Sequence, residues 1–182
     1  MTVRPLRAAD LEACAAIMSG LPLWRQYGVT AREARETFAA ALAGDARVQV
    51  ADDGARLVGF VEYLLRGTFG HSGYVWAVGV AADAQGRGVG RLLMDAAEAE
   101  IFATGPNVFL LVTAANDRAR RFYERRGYRR IGELPDYVRP GVTEVLYRKT
   151  RGPIRAPARG APGGPAPVGG GARDRDRPGG DR

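Results

Sequence analysis

The chain has 182 residues, 46% of them apolar, and a formal net charge of +7 at pH 7. It contains one cysteine and one histidine, which excludes an intramolecular disulfide framework and leaves no cluster with zinc-site spacing, so no metal is expected. No apolar run reaches the roughly 18 residues of a membrane span, and no charged-then-apolar leader precedes the first predicted element. We therefore expect a cytoplasmic protein without a membrane partner.

The last 32 residues, 151–182, differ in composition from the rest of the chain. They hold nine of the 25 glycines and six of the 11 prolines, but only two large aliphatic residues, Ile154 and Val168. Such a segment cannot bury enough apolar surface to offset the entropy that it would lose on ordering. The sequence predicts one folded domain over residues 1–150 and a disordered Arg/Gly/Pro-rich tail over 151–182.

The first part of the chain predicts one strand, two helices and a hairpin. Thr30 to Glu33 has the form of a capping box, which marks a helix start, and Asp53-Gly54 between two apolar runs is a strong hairpin signal. The predicted elements are a strand over 2–6, a helix from Asp10 to Gly20, a loop with two aromatic residues over 23–28, a helix from Thr30 to near Gly44, and strands over 48–51 and 57–65.

The second part alternates strands and helices. The strand predicted over 74–80 is almost continuously apolar, as expected for a strand buried on both faces. A strand, a helix and a strand between residues 74 and 112 imply a right-handed parallel crossover in an otherwise antiparallel sheet, so the fold class is α+β. The remaining predicted elements are a glycine-rich turn over 85–90, a helix to about Ala103, a strand over 108–112, a helix from Asn116 to Arg126, and strands over 128–133 and 144–149.

The glycine-rich turn at residues 85–90 joins a buried strand to a helix, where backbone N–H groups and the helix N-terminus favour an anion. The turn lacks the lysine of a Walker A loop and the glycine spacing of a dinucleotide fingerprint, so neither nucleotide motif is present. It instead matches the pattern Gln/Arg-x-x-Gly-x-Gly/Ala, with Gln85, Gly88 and Gly90 at the defined positions.

Together with the downstream residues Asn116, Ala119, Phe122-Tyr123 and Gly127-Tyr128, this pattern resembles the GNAT superfamily of acyl-CoA-dependent N-acyltransferases. The resemblance covers most of residues 2–149, including the order of elements, and is densest over 74–128. It implies a GNAT-like layered α+β fold, with a mixed central sheet of about six to seven strands, flanking helices and a parallel splayed pair at the acyl-CoA cleft. It also implies transfer of an acetyl group from acetyl-CoA, without a metal, to a primary amine by direct attack on the thioester.

The resemblance also assigns roles around the glycine turn, where backbone N–H groups are expected to hold the coenzyme A pyrophosphate. Arg87 and Arg91 either add positive charge there or are solvated surface residues. Gly79, between Val78 and Val80, is compatible with a strand bulge or with relief of crowding. The residues expected to bind the coenzyme are Val78, Val80, Gln85, Gly86, Arg87, Gly88, Val89, Gly90, Arg91, Asn116 and Tyr123; Asn116 is also a candidate helix N-cap.

Three residues carry the expected chemistry. The N–H of Val78 is expected to stabilise the oxyanion, and Tyr123 matches the position whose hydroxyl protonates the departing thiolate. Glu62, on the strand before the buried one, is the first candidate for the general base. Glu144, His71 and a water relay are its alternatives, and the sequence does not choose among them.

The acceptor is expected to lie between the segment that joins the first two helices and the last hairpin. Aromatic and acidic residues in these places suit a cationic amine with an apolar portion, although the same aromatics could pack a lid. These residues are Leu23, Trp24 and Tyr27 on one side and Asp136, Tyr137 and Glu144 on the other. The expected acceptor is a small-molecule amine or a protein amino group, and because related proteins are often dimers, a homodimer is a further expectation.

Two functions of other classes stay open. One is a catalytically silent module that binds acetyl-CoA as a sensor. The other is nucleic-acid binding by the tail, which has seven arginines in Gly/Pro-rich sequence. Because Asp174, Asp176 and Asp181 interrupt the last arginine cluster and the tail has no aromatic residue for base stacking, we expect no nucleic-acid partner.

Overall fold

The computed structural model describes residues 1–155, which form a seven-stranded sheet with five α-helices. The disorder predicted for the tail falls mostly on residues outside this range. The strands are β1 (Thr2–Pro5), β2 (Arg47–Asp52), β3 (Leu57–Thr68), β4 (Ser72–Val80), β5 (Asn107–Thr113), β6 (Arg129–Pro135) and β7 (Thr143–Thr150). The helices are α1 (Leu11–Gly20), α2 (Pro22–Gln26), α3 (Ala31–Ala43), α4 (Val89–Thr104) and α5 (Asp117–Arg125).

The sheet has the order β1-β2-β3-β4-β5-β7-β6, and every neighbouring pair is antiparallel except β4 and β5. Helix α4 makes the crossover between these two parallel strands. They pair only from Gly73 with Val108 to Val75 with Leu110, so the second half of β4 has no partner on that side. This confirms the predicted α+β fold with a mixed sheet and a splayed parallel pair.

The sheet separates two hydrophobic cores because successive strand side chains point to opposite faces. On one face, Val61 and Val75 pack with the buried side of α4, which includes Leu93 and Ile101. On the other face, Phe60 packs with residues of α1 and α3. Glu62 follows Val61 by one residue and therefore lies on the face that α1 and α3 cover.

Strand β4 contains a bulge at Trp76. Glu62 pairs with Ala77, whereas the next residue of β3, Tyr63, pairs with Val75, so Trp76 is the extra residue. The bulge leaves the Trp76 side chain 59% exposed. The sequence offered Gly79 as a position for a bulge, but Gly79 pairs regularly with Phe60.

Gly79 instead relieves crowding, because a Cβ atom built there would lie 2.4 Å from the buried Phe60 ring. We expect Gly79→Ala to lower the free energy of unfolding by about 1–3 kcal/mol through overpacking, and the melting temperature by several degrees. The matched control is Gly132→Ala, since a Cβ at Gly132 meets no atom within 4 Å. Equal melting temperatures of the two variants would contradict this account of Gly79.

One local prediction was wrong in detail. The segment predicted as a loop over 23–28 contains the short helix α2, which begins with Pro22 at its first position, where the fixed φ of proline suits a helix start. Asp10 stands immediately before α1, but its carboxylate makes no capping bond to that helix. It accepts hydrogen bonds from the Arg4 guanidinium at 2.7 and 3.0 Å and from the Arg7 N–H at 2.8 Å.

The folded body extends to Arg151, the first residue of the predicted tail. Its backbone N–H donates to the Pro106 carbonyl at 2.8 Å, and its guanidinium lies 4.2 Å from the centre of the Phe102 ring. The end of β7 is thereby held against the C-terminal end of α4. Between residues 1 and 155, no helix has the length and apolar character needed to cross a bilayer.

Candidate active site

A cleft of about 590 Å³ opens where β4 leaves β5, between the second half of β4, the start of α4 and the outer face of α5. It brings together the predicted coenzyme-binding residues except Arg87, namely Val78, Val80, Gln85, Gly86, Gly88, Val89, Gly90, Arg91, Asn116 and Tyr123. Arg87 lies exposed in the turn, away from the cleft, whereas Arg91 lines it.

The glycine turn presents backbone donors to this cleft. Gly86 and Gly88 have φ values of +79° and +83°, in the left-handed region that disfavours other residues. Helix α4 begins at Val89 directly after Gly88, and no side chain caps its first turn. Several N–H groups at the positive end of a 16-residue helix therefore face the cleft, an arrangement that suits a phosphate group.

The second half of β4 offers a free backbone edge to the same cleft. The Ala81 N–H donates to the Val58 carbonyl at 2.9 Å, so the N–H groups that alternate with it, at Gly79 and Ala77, also point towards β3. Those of Val78 and Val80 consequently point the other way, into the gap that β5 leaves. An extended chain with amide groups could pair with this edge as a neighbouring strand does.

Gln85 and Asn116 hold the elements around the cleft together. The Gln85 side-chain amide donates to the Val80 carbonyl at 3.2 Å and accepts from Arg118 at 2.8 Å, which ties the turn to β4 and α5. The Asn116 Oδ1 accepts from the Ala119 N–H at 3.1 Å, so Asn116 is the N-cap of α5 and also lines the cleft.

Tyr123 projects from α5 into the cleft. Its ring packs edge-on against Phe122 and Tyr128, with centroid distances of 5.1 and 5.5 Å. Burial raises the pKa of the Tyr123 phenol above its ordinary value. The hydroxyl therefore carries its proton at neutral pH and can donate it to a group in the cleft.

Several cleft residues had no signal in the sequence. Arg118 and Arg125 bring positive charge from α5, and Leu21 and Pro22 form an apolar wall with the beginning of α2. Their positions depend on how α2 and α5 dock, which local sequence patterns do not report. Leu23 and Trp24, predicted on the acceptor side, belong to the same apolar wall of the cleft.

Tyr27 joins α2 to the far side of the gap. Its hydroxyl lies 2.9 Å from both the Thr113 Oγ1 on β5 and the Glu144 Oε1 on β7, and the Thr113 hydroxyl lies 3.1 Å from the same Oε1. The structure thus brings together Tyr27 and Glu144, which the sequence placed on opposite sides of one acceptor site.

The other predicted acceptor-side residues lie at exposed turns. Asp136 has a φ of +56°, and its carboxylate accepts from the Gly141 N–H at 2.6 Å, so it shapes the turn between β6 and β7. The Tyr137 side chain next to it is 67% exposed.

His71, an alternative candidate for the general base, is exposed at the tip of the β3–β4 hairpin, at the opposite end of β4 from Val78.

Glu62 is the buried acid nearest to the free half of β4. It pairs across the strands with Ala77, is 7% exposed, and its Oε2 has no hydrogen-bond partner within residues 1–155. Burial raises the pKa of this carboxyl to about 7. A carboxyl group with such a pKa can take up a proton near neutral pH. In the described part of the chain, no group of three or more His, Cys, Asp or Glu side chains could hold a metal ion.

Comparison with known proteins agrees with this geometry. The sequence model of the acetyltransferase (GNAT) family matches residues 14–128. An uncharacterized N-acetyltransferase of Methanocaldococcus jannaschii is 32% identical over 110 residues, which are 59% of this chain and 69% of that protein.

Two solved structures show the same fold. An aminoglycoside 6′-N-acetyltransferase complexed with coenzyme A superposes with a TM-score of 0.72 at 15% sequence identity. The match covers 86% of this chain and 100% of the aminoglycoside acetyltransferase chain. A ribosomal-protein-alanine N-acetyltransferase from Brucella melitensis superposes with a TM-score of 0.68 at 22% sequence identity. The match covers 82% of this chain and 99% of the Brucella chain. At these identities the likeness concerns the fold alone.

Proposed function

This chain belongs to the acetyltransferase (GNAT) family, and we propose that it transfers an acetyl group from acetyl-CoA to a primary amine by direct attack of the amine on the thioester. The observation that carries the proposal is the meeting of two backbone features in one cleft. These are the free edge of β4 at Val78 and Val80 and the uncapped start of α4 behind the glycine turn. Acetyl-CoA supplies the activated acyl group as a thioester.

The cleft suits the two chemically different parts of the coenzyme. The N–H groups from Gly86 to Gly90 would bind the pyrophosphate, and Arg118 and Arg125 would add positive charge around it. The free edge of β4 would pair with the amides of the pantetheine arm, and the apolar wall from Leu21 to Trp24 would cover that arm. This pairing places the acyl end beside Val78.

Val78 is then positioned to stabilise charge. Its N–H, which has no strand partner on the β5 side, would donate to the carbonyl oxygen of the thioester as that oxygen becomes negative. A fixed backbone donor in a site that excludes water is usually the largest single contribution to such catalysis. Because β5 departs after Val75, this donor is available only through the splayed geometry.

Two side chains move protons in the proposed reaction. Glu62 accepts the proton that the attacking amine loses, directly or through a water molecule. The new C–N bond forms as the C–S bond breaks, and the Tyr123 hydroxyl gives its proton to the departing sulfur and then recovers one from solvent. Burial raises the pKa of Glu62, which makes it a stronger base, and it also raises the pKa of Tyr123, so the phenol holds its proton until the departing thiolate, a strong base, takes it.

The first test is the melting temperature of the full chain with acetyl-CoA, with ATP and NAD as controls. At about 100 times its Kd, a ligand that binds only the folded protein stabilises it by about 2.7 kcal/mol, a shift of several degrees. We expect a shift with acetyl-CoA alone. No shift in melting temperature at saturating acetyl-CoA would contradict acetyl-CoA as the acyl donor. A shift without release of thiol over a panel of amines would indicate a module that binds acetyl-CoA as a sensor and does not catalyse transfer.

A further inference from the structure

Four acids are buried in the described part of the chain, and they differ in whether a cationic side chain lies beside them. Asp10 lies 2.7 Å from the Arg4 guanidinium, and Glu98 lies 2.6 Å from the Lys149 ammonium and 3.1 Å from the Arg126 guanidinium. Glu62 and Glu144 are also buried, at 7% and 4% exposure, but within residues 1–155 neither forms an ion pair. A buried carboxylate without a cation is costly, so such a group usually has a ligand or a reaction to serve.

Both unpaired acids lie on the face of the sheet that α1 to α3 cover, one on each side of the gap between β4 and β5. The side of Glu62 follows from strand alternation with Val61 and Phe60, which belong to opposite cores. The side of Glu144 follows from its contact with Tyr27 at the end of α2. The apolar wall of the cleft, from Leu21 to Trp24, lies on this same face, so both acids border the gap where the attacking amine would meet the thioester.

The surroundings of Glu144 resemble a binding site for a cation. Its Oε1 is held by the hydroxyls of Tyr27 and Thr113, whereas no hydrogen bond reaches Oε2 from the described residues. Tyr74 lies close by: burial, and then the nearby Tyr137 and Glu144, raise the pKa of its phenol to about 12. The Trp76 ring exposed by the bulge lies 6.0 Å from the Tyr74 ring. A carboxylate beside tyrosine side chains, here Tyr27 and Tyr74, is an environment that binds ammonium groups.

The two acids suit different tasks. The reacting nitrogen has to lose its proton before it attacks, and Glu62, which has no hydrogen-bond partner for Oε2, suits that task. Glu144 is held in one orientation by two hydroxyl groups, which suits it to fix a charge that does not react.

We propose that Glu144 binds a second, non-reacting ammonium group of the acceptor, so that the acceptor is a diamine or longer polycationic amine rather than a monoamine. This inference rests on the proposed function, since it concerns the acceptor side of the same reaction. Tyr27 and Thr113 act as positioning residues that hold the Glu144 carboxylate, and the Tyr74 ring, which packs against Trp76, flanks the ammonium group.

The experiment compares α,ω-diamines with n-alkyl monoamines of equal chain length, by thiol release from acetyl-CoA. For the wild-type protein we expect the best diamine to exceed its monoamine in kcat/KM by about tenfold or more, the usual effect of one charge-assisted contact. In Glu144→Gln we expect this ratio to fall by about tenfold, mainly through a higher KM for the diamine with kcat less affected.

The matched control is Glu133→Gln, which removes an exposed carboxylate on β6 that is paired with Arg130 and is expected to leave the ratio unchanged. Retention of the acetyl-CoA-induced melting shift in Glu144→Gln would show that its fold and donor site are intact. A second readout is equilibrium binding of the same diamine in the presence of coenzyme A, followed by tryptophan fluorescence. We expect this binding to weaken by a similar factor in the variant.

Two results overturn the inference while leaving the proposed function intact. One is equal kcat/KM for diamines and monoamines in the wild-type protein, a comparison that does not depend on whether a variant folds. The other is an unchanged ratio in Glu144→Gln. A wild-type protein that releases no thiol with any amine, although it binds acetyl-CoA, would instead contradict the proposed function itself, and this inference with it.

Discussion

Glu62→Gln is expected to lower kcat by about 100- to 1,000-fold and to leave the acetyl-CoA-induced melting shift intact, because the glutamine keeps the shape of the side chain but cannot accept the proton of the amine. In the wild-type protein, kcat/KM should rise with pH through about 7 as the buried carboxyl loses its proton. Glu62→Gln should lack this rise of kcat/KM with pH. The measurement is thiol release over a pH series at saturating acetyl-CoA.

The matched control for Glu62→Gln is Glu36→Gln, which removes an exposed carboxylate of α3 paired with Arg32. An exposed i,i+4 pair contributes only a few tenths of a kcal/mol, so both kcat and the pH profile should stay at the wild-type level. A loss of less than about threefold in Glu62→Gln, with the wild-type pH profile retained, would show that a water relay without Glu62 activates the amine.

Glu62→Gln, which lowers kcat, should raise the free energy of unfolding at high pH. The pKa of Glu62 is about 7 in the folded protein and about 4.5 in an unstructured chain, so the folded state binds the proton more tightly. Stability from this group is therefore complete below pH 4.5 and is lost as the pH rises through 7. At pH 8 we expect Glu62→Gln to exceed the wild-type free energy of unfolding by roughly 3 kcal/mol, with little difference at pH 4, measured by thermal melting.

Tyr123→Phe is expected to lower kcat by about 100-fold with little change in the KM for acetyl-CoA. The substitution removes only the hydroxyl that protonates the departing sulfur, whereas the ring contacts with Phe122 and Tyr128 remain. Initial rates at saturating amine and saturating acetyl-CoA measure this effect directly.

Tyr128→Phe is the control for Tyr123→Phe, because it removes the same atom from the neighbouring ring. The Tyr128 hydroxyl is buried and has no hydrogen-bond partner within residues 1–155, so its loss should not lower stability or kcat. If both variants turned over at the wild-type rate, the proton of the thiol would have to come from solvent and Tyr123 would serve only to pack α5.

The glycine turn and the start of α5 beside the cleft were predictable because their determinants are local in the chain. Left-handed backbone at Gly86 and Gly88 requires glycine, and the capping bond of Asn116 reaches a residue only three positions away. These features leave a pattern of residue types at short, constant spacing. The same reason explains why the capping box at Thr30 and the hairpin at Gly54 agree with the structure.

The features that the sequence did not locate depend on contacts between distant segments. The β4 bulge lies at Trp76 rather than Gly79 because register against β3 decides it, and that pairing is invisible in either strand alone. Trp24, expected on the acceptor side, lines the same cleft as Val78 and Val80, a position that follows from how α2 lies across the sheet. Arg118 and Arg125 came to the cleft for the same reason.

The sequence by itself determined the α+β fold class and the order of the main elements, because alternation, capping and glycine spacing are local physical requirements, and its motifs carried the resemblance to the family. It also named Glu62 and Glu144 as candidates for the general base, without choosing between them. Only the tertiary structure decided that Asp10 and Glu98 are neutralised by arginine or lysine side chains whereas Glu62 and Glu144 are not, within the part of the chain that it describes. Charge compensation in a protein interior depends on which distant side chains the fold brings within a few ångströms, and residue spacing along a strand does not contain that information.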